Sequence, residues 1–110
     1  MEKEFLNDLD EMILTLVATL KENSYGAFIT IEIEQWIGRK VALSAVHVTL
    51  YSLEDRGYIK SIIGGATNER GGRRKRIYSI TNAGLAVLRS MKDTRTEIWK
   101  LVPQLKIVSY

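Results

Sequence analysis

The stretch IKSIIGGATNERGGRRKRIYSIT, Ile59 to Thr81, holds two β-rich arms around a turn with four glycines, Gly64, Gly65, Gly71 and Gly72. The arms run from Tyr58 to Ile63 and from Arg76 to Ile80, and the segment between them is too long for a tight two-residue turn. A hairpin with a mobile tip is expected. Strand alternation puts Tyr78 and Ile80 on one face, the core face. Arg70, Arg73, Arg74, Lys75 and Arg76 crowd the tip and the second arm. From Arg56 to Arg76 there are seven basic residues and one acidic, a local charge of +6 in a chain whose net charge is only +3. Positive charge concentrated on one turn fits a polyanion-binding surface. A merely solvated charged face is the plainer alternative, but the Gly-rich turn chemistry beside the charges favours the first.

The segment before the hairpin is helical. In Ser44 to Arg56, Val46, Leu50 and Leu53 fall in one narrow arc at 3.6 residues per turn, with Ser44 placed to cap the start and Gly57 to end it. The opposite arc holds Ser44, Val48, Tyr51 and Asp55, flanked by Ala45, His47, Thr49 and Ser52. A solvent-facing helix more often carries Lys and Glu. Slim residues with a few donors and acceptors suit close approach to a major groove. A short helix feeding a basic hairpin predicts a winged helix-turn-helix.

Further upstream, Phe5 to Glu22 repeats Leu6, Leu9, Ile13, Leu16, Val17 and Leu20 at helical spacing, and Met12 and Leu14 widen the stripe. So broad an apolar surface on a small domain predicts burial on two sides, one of them against a partner. Asn23 to Gly26 breaks the pattern. A second helix is expected from Ala27 to Ile37, with Ile29, Ile33, Trp36 and Ile37 in the core and Gly38 closing it. Downstream, Thr81 caps a last helix in which Leu85, Leu88, Met91, Ile98, Val102 and Leu105 approach heptad spacing, interrupted by Arg95. At about 1.5 Å per residue the later members project beyond the domain. A second copy is the economical partner. Pro103 ends or kinks this helix. The expected organisation is a DNA-binding unit over residues 1–84 and a dimerisation helix and tail over 85–110. The fold class is mainly α with a small β-hairpin (α+β).

Composition narrows the function. The chain of 110 residues has no cysteine and one histidine, which excludes disulfides, thiolate metal sites and a multi-histidine metal site within one chain. No apolar run is long enough to span a bilayer. Met1-Glu2-Lys3-Glu4 lacks the basic region of a secretion signal, so a cytoplasmic protein is expected. Ser44, His47 and Asp55 fall within three turns of one helix, with no nucleophile turn and no paired carboxylates, so an enzyme is not expected. The glycine pairs lack P-loop or Rossmann spacing. No cofactor is expected.

The residues resemble those of PadR-like transcriptional regulators. Tyr25-Gly26 followed by Ile29 resembles that family's Tyr-Gly-x-x-Ile. Leu50-x-x-Leu53-Glu54-x-x-Gly57-Tyr58-Ile59 resembles its Leu-x-x-Leu-Glu-x-x-Gly-Leu-Ile. Glu69 to Gly84 resembles its wing and the Leu-Thr-x-x-Gly that opens the last helix. The chain departs from the pattern at His47, where the family often has Tyr. His47 is read either as a pH-sensitive contact or as an exposed imidazole bonding a phosphate or water. The resemblance implies a homodimeric repressor of double-stranded DNA, in some members relieved by a flat hydrophobic effector at the dimer interface. The DNA contacts expected from the helix face and the basic hairpin are Ser44, Ala45, His47, Val48, Thr49, Tyr51, Ser52, Arg70, Arg73, Arg74, Lys75 and Arg76. The seam expected from the apolar pattern is Leu9, Met12, Leu88, Met91, Ile98, Trp99, Val102 and Leu105. Trp99 is either an effector-stacking residue or plain interface packing. The rival reading is a winged helix serving as a protein-interaction module.

Overall fold

The computed structural model describes residues 4–64 and 74–103. Helix α1 spans Asp8–Leu20, and a single 3-10 turn, Lys21–Asn23, leads to α2, Gly26–Ile37. Then come α3, Leu43–Asp55, strands β1, Ile59–Ile63, and β2, Arg76–Ile80, and α4, Asn82–Trp99. This is the expected α+β winged helix.

Each boundary has a local cause. The Asn7 side chain accepts from the Asp10 N–H at 2.8 Å and caps α1, which starts at Asp8, inside the expected span from Phe5. Gly38 closes α2 at φ 72°, and its N–H donates to the Glu34 carbonyl. Helix α3 begins at Leu43, so Ser44 is not its cap: Ala42 holds that position and supplies no side-chain hydrogen bond. The loop before it is tied instead by the Val41 N–H, which donates to the Glu34 carboxylate at 2.9 Å. At the other end of the hairpin, Thr81 caps α4 by accepting from the Gly84 N–H.

Strands β1 and β2 pair antiparallel, Ile59 opposite Ile80 and Ser61 opposite Tyr78. Beyond the hairpin, the Tyr78 N–H donates to the Ser24 carbonyl at 2.8 Å, which ties β2 to the turn between α1 and α2. The core joins Ile13, Leu14 and Val17 of α1, Ile29 and Ile33 of α2, Val46, Leu50 and Leu53 of α3, Tyr58, Ile59 and Tyr78 of the hairpin, and Val87 and Met91 of α4. Ile80 packs against it from the predicted face.

Two expectations about packing are corrected. Trp36 is 78% exposed rather than core. Met91, expected at a seam between copies, is only 1% exposed within its own domain, and Leu88 packs against the same core. The first half of α4 serves the domain, because it lies across α1, where Arg95 also pairs with Glu11. Among the described residues, Ile98 and Trp99 at the end of α4, and Leu101 and Val102 just beyond it, are exposed. Leu105 lies outside the described residues.

Candidate nucleic-acid interface

Two surfaces carry the expected contacts, the outer face of α3 and the arms of the hairpin. On α3, Ser44, Val48, Tyr51, Ser52 and Asp55 are exposed, with Val48 and Tyr51 the most prominent apolar and aromatic groups at 67% and 58%. Ala45 and His47 are half-buried at the margins. Thr49 does not reach this face. It is 7% exposed, because α3 is seated deeply against both α1 and α2 and its flank is covered.

His47 has a structural seat. Its ring lies so close to Gly26 that a β-carbon there would come within 2.5 Å of the imidazole Cε1. Its Nδ1 is buried without a hydrogen-bond partner, and its ring stacks on Tyr51 with centroids 6.0 Å apart. This places His47 between the N-terminus of α2 and the outward Tyr51, as a spacer that props the tyrosine. The missing side chain at Gly26 makes the seat possible; the pattern Tyr25-Gly26 was the sequence signal for it, although its use by His47 was not foreseen.

The basic residues of the hairpin are held in different ways. Arg76 shares a strand face with Tyr78 and donates to the Ser61 hydroxyl at 2.9 Å. Ser61 in turn donates to the Glu54 carboxylate at the end of α3. The guanidinium is therefore tied to the first arm and, through Ser61, to the end of α3. The Lys75 ammonium stands 4.3 Å from the centroid of the Tyr25 ring, a cation–π contact that ties the second arm to the start of α2. Arg74 is exposed. Arg70 and Arg73 lie outside the described residues. Two cations absent from the sequence-derived contact set, Arg39 and Lys40, are exposed on the loop that leads into α3. Their position immediately before the helix was the available signal.

A second polar cluster locks the frame behind this surface. Arg56, at the end of α3, donates to Glu4 and to Asp10, each at 3.0 Å. The Tyr58 hydroxyl also donates to Glu4. That hydroxyl first, and then the Arg56 guanidinium, hold the Glu4 carboxyl below the usual carboxylate range. Burial, and then the facing Glu4 carboxylate, push the Tyr58 phenol above its ordinary value. Burial likewise raises Tyr78, with the charge of Glu54 adding to it.

Away from the α3 face, a groove of about 580 Å³ runs between α1 and α2, lined chiefly by Met12, Leu16, Leu20, Ile33 and Trp36. Among the described residues no group of His, Asp or Glu side chains is arranged to hold a metal, and no helix is long and apolar enough to cross a membrane.

No protein-family model and no curated relative matches the sequence. Solved structures do match. A PadR family transcription regulator from Clostridium difficile is 27% identical, with a TM-score of 0.65 over 86% of this chain and 94% of that one. A PadR-like transcriptional regulator from Bacillus cereus is 18% identical, with a TM-score of 0.67 over 84% of each chain. A transcriptional regulator from Clostridium thermocellum is 23% identical, with a TM-score of 0.62 over 90% of this chain and all of that one. The fold is thus the winged helix of PadR-like regulators, and the likeness supports a transcriptional regulator.

Proposed function

We propose that this PadR-like winged-helix chain is a dimeric, sequence-specific DNA-binding repressor acting in the cytoplasm. The observation that carries the reading is the outer face of α3, slim and uncharged through its first three turns, with exposed cations before and after it in the chain. Arg39 and Lys40 lie before it, and Arg74, Lys75 and Arg76 lie on the hairpin. In this reading α3 enters the major groove, and the flanking cations neutralise phosphates on either side of it. Arg70 and Arg73 continue the hairpin's charge toward its tip in sequence. Phosphate contacts set position, while base contacts from Ser44, Ala45, Val48, Tyr51 and Ser52 set preference.

The dimer is supported by apolar surface that no other described residue covers. Trp99 stands about 12 Å of helix beyond Met91, the last core residue of α4. With Ile98 and Val102 it offers a seam to a second copy, to which the half-buried Met12 of α1 adds, whereas Leu9 packs against the domain's own core. Two copies then present two α3 helices about one DNA turn apart on a pseudo-palindrome. In the same reading Trp99 stacks on a flat hydrophobic effector that relieves repression.

Binding to duplexes from the promoter region of its own gene over a salt series tests the proposal. With roughly six to eight phosphates neutralised per dimer, log K should fall with log salt at a slope on the order of −5 to −7. A flat salt response, or no duplex binding, would sink it. A chain that is monomeric alone and assembles only with another protein would favour the interaction-module reading.

A further inference from the structure

The outward face of α3 is notable for the side chains it does not carry. Helix α3, LSAVHVTLYSLED, contains no Arg, Lys, Asn or Gln. Bidentate reading of guanine requires Arg or Lys, and bidentate reading of adenine requires Asn or Gln. Asp55 could accept from a cytosine amino group, but it is the last residue of the helix. A recognition helix contacts base edges with its N-terminal residues, so Asp55 falls at the end away from the bases. His47 is occupied by its seat on Gly26. The centre of the face is Val48, two-thirds exposed, with the Ser44 hydroxyl one turn before it and Ser52 one turn after. Ser44 to Ser52 covers about 12 Å of helix axis, or roughly three to four base pairs of groove. An isopropyl group at the centre of that span has one complementary feature on the major-groove floor, the C5-methyl of thymine.

We propose that this chain reads its operator half-sites through thymine methyl groups, with Val48 as the residue that contacts them. The inference rests on the DNA-binding reading above and adds the chemistry of the bases selected. The half-sites are A·T-rich at the positions facing Val48. The neighbouring hydroxyls of Ser44, Tyr51 and Ser52 tolerate several bases, because each can donate or accept. Discrimination at the central positions therefore comes from an apolar contact.

The test begins with selection of duplexes from a randomised pool by the full chain. Each thymine of a selected half-site is then replaced singly by deoxyuridine, which removes only the methyl group. At one or two positions per half-site, affinity should fall about fourfold, the value of roughly one buried methylene. In Val48→Ala the same replacements should change affinity less than about 1.5-fold, because the contact is already gone. Val48 is exposed, so the variant should melt within a degree or two of the parent, which separates lost contact from lost fold. Sequence-selective binding in which no thymine responds to deoxyuridine, or in which Val48→Ala leaves the response intact, overturns this inference alone. Failure to bind any duplex overturns the DNA-binding reading and this inference with it.

Discussion

Arg56 and Asp10 meet at 3.0 Å across the interface between the end of α3 and the start of α1. Asp10 is 9% exposed, so water can replace this guanidinium only in part. Arg56→Ala should cost about 1.5–3 kcal/mol, the usual range for a hydrogen bond to a charged group, read from urea unfolding midpoints at constant slope. The double variant with Asp10→Ala should cost less than the two single losses added together, since the second change removes the carboxylate stranded by the first. Additive losses would mean that the pair is not coupled.

Gly84 lies against the Tyr58 carbonyl, and a β-carbon there would also meet the Ile80 side chain at 2.7 Å. The backbone carbonyl cannot swing aside as a flexible side chain can. Gly84→Ala should therefore destabilise by about 1–3 kcal/mol through overpacking, despite the better helix propensity of alanine. A thermal melt reads this as a drop of several degrees. An unchanged or raised Tm would show that α4 can slide away from the hairpin.

Tyr58 and Tyr78 both have phenol pKa values raised by burial. A folded-state pKa above the unfolded one stabilises the fold fully below the unfolded value, near 10 on the model-peptide scale. That contribution is lost as pH rises through the folded value. Unfolding free energy measured from pH 8 upward should therefore hold until about pH 10 and then decline. Tyr78→Phe should flatten part of the decline, and an equal slope in the variant would assign it to other groups. Glu4 works in the opposite direction. Its pKa is lowered, so its contribution is present above the ordinary carboxylate range and is lost as pH falls through the depressed value.

Arg74→Ala should weaken binding to all duplexes alike and reduce the magnitude of the salt slope by about one per phosphate contact removed. Glu54→Gln should act on the same surface by a different route. It removes a negative charge beside Ser61 and Arg76 and should tighten binding modestly at low salt, with the gain fading as salt screens it. A change in sequence preference in Arg74→Ala would place that side chain on a base edge.

Trp36 and Trp99 are both largely exposed in the single chain. In Trp36→Phe, emission from Trp99 should shift to shorter wavelength as protein concentration rises and the α4 ends become buried. Sedimentation on the same samples should report twice the chain mass. Ile98→Asp should abolish both changes while leaving the melt of the domain close to the parent, since Ile98 is outside the core. A concentration-independent spectrum would place the contact elsewhere.

Much of this architecture was legible because periodicity and punctuation agree. The register of Tyr78 and Ile80, the Thr81 cap and the Gly38 terminus all followed from local rules. The errors arose where a pattern cannot reveal what stands opposite it. Trp36 shares the arc of Ile29 and Ile33 on α2, but α1 leaves a groove rather than a filled core beside it. Met91 and Ile98 belong to one apolar series on α4, yet only the first lies over the domain. Thr49 sits at the edge of the outward arc, and the depth at which α3 is seated, a tertiary quantity, decides its burial. Alternation placed Tyr78 and Ile80 on one face, but the tether of Arg76 to Ser61 depends on the pairing of the two strands. The His47 seat required the packing of α2 on α3, which no local motif encodes.

Between Ile80, the last residue of β2, and Asn82, the first of α4, there is only Thr81. Its N–H is bonded to the Tyr58 carbonyl at 3.0 Å and its hydroxyl to the Gly57 carbonyl at 2.7 Å. The joint has no slack. A twist applied at the Trp99 end of α4 would pass to the hairpin and to the end of α3 as if through a crankshaft. In a paired molecule the separation and phase of the two reading heads would then be set from that far end, without any change in the residues that touch DNA.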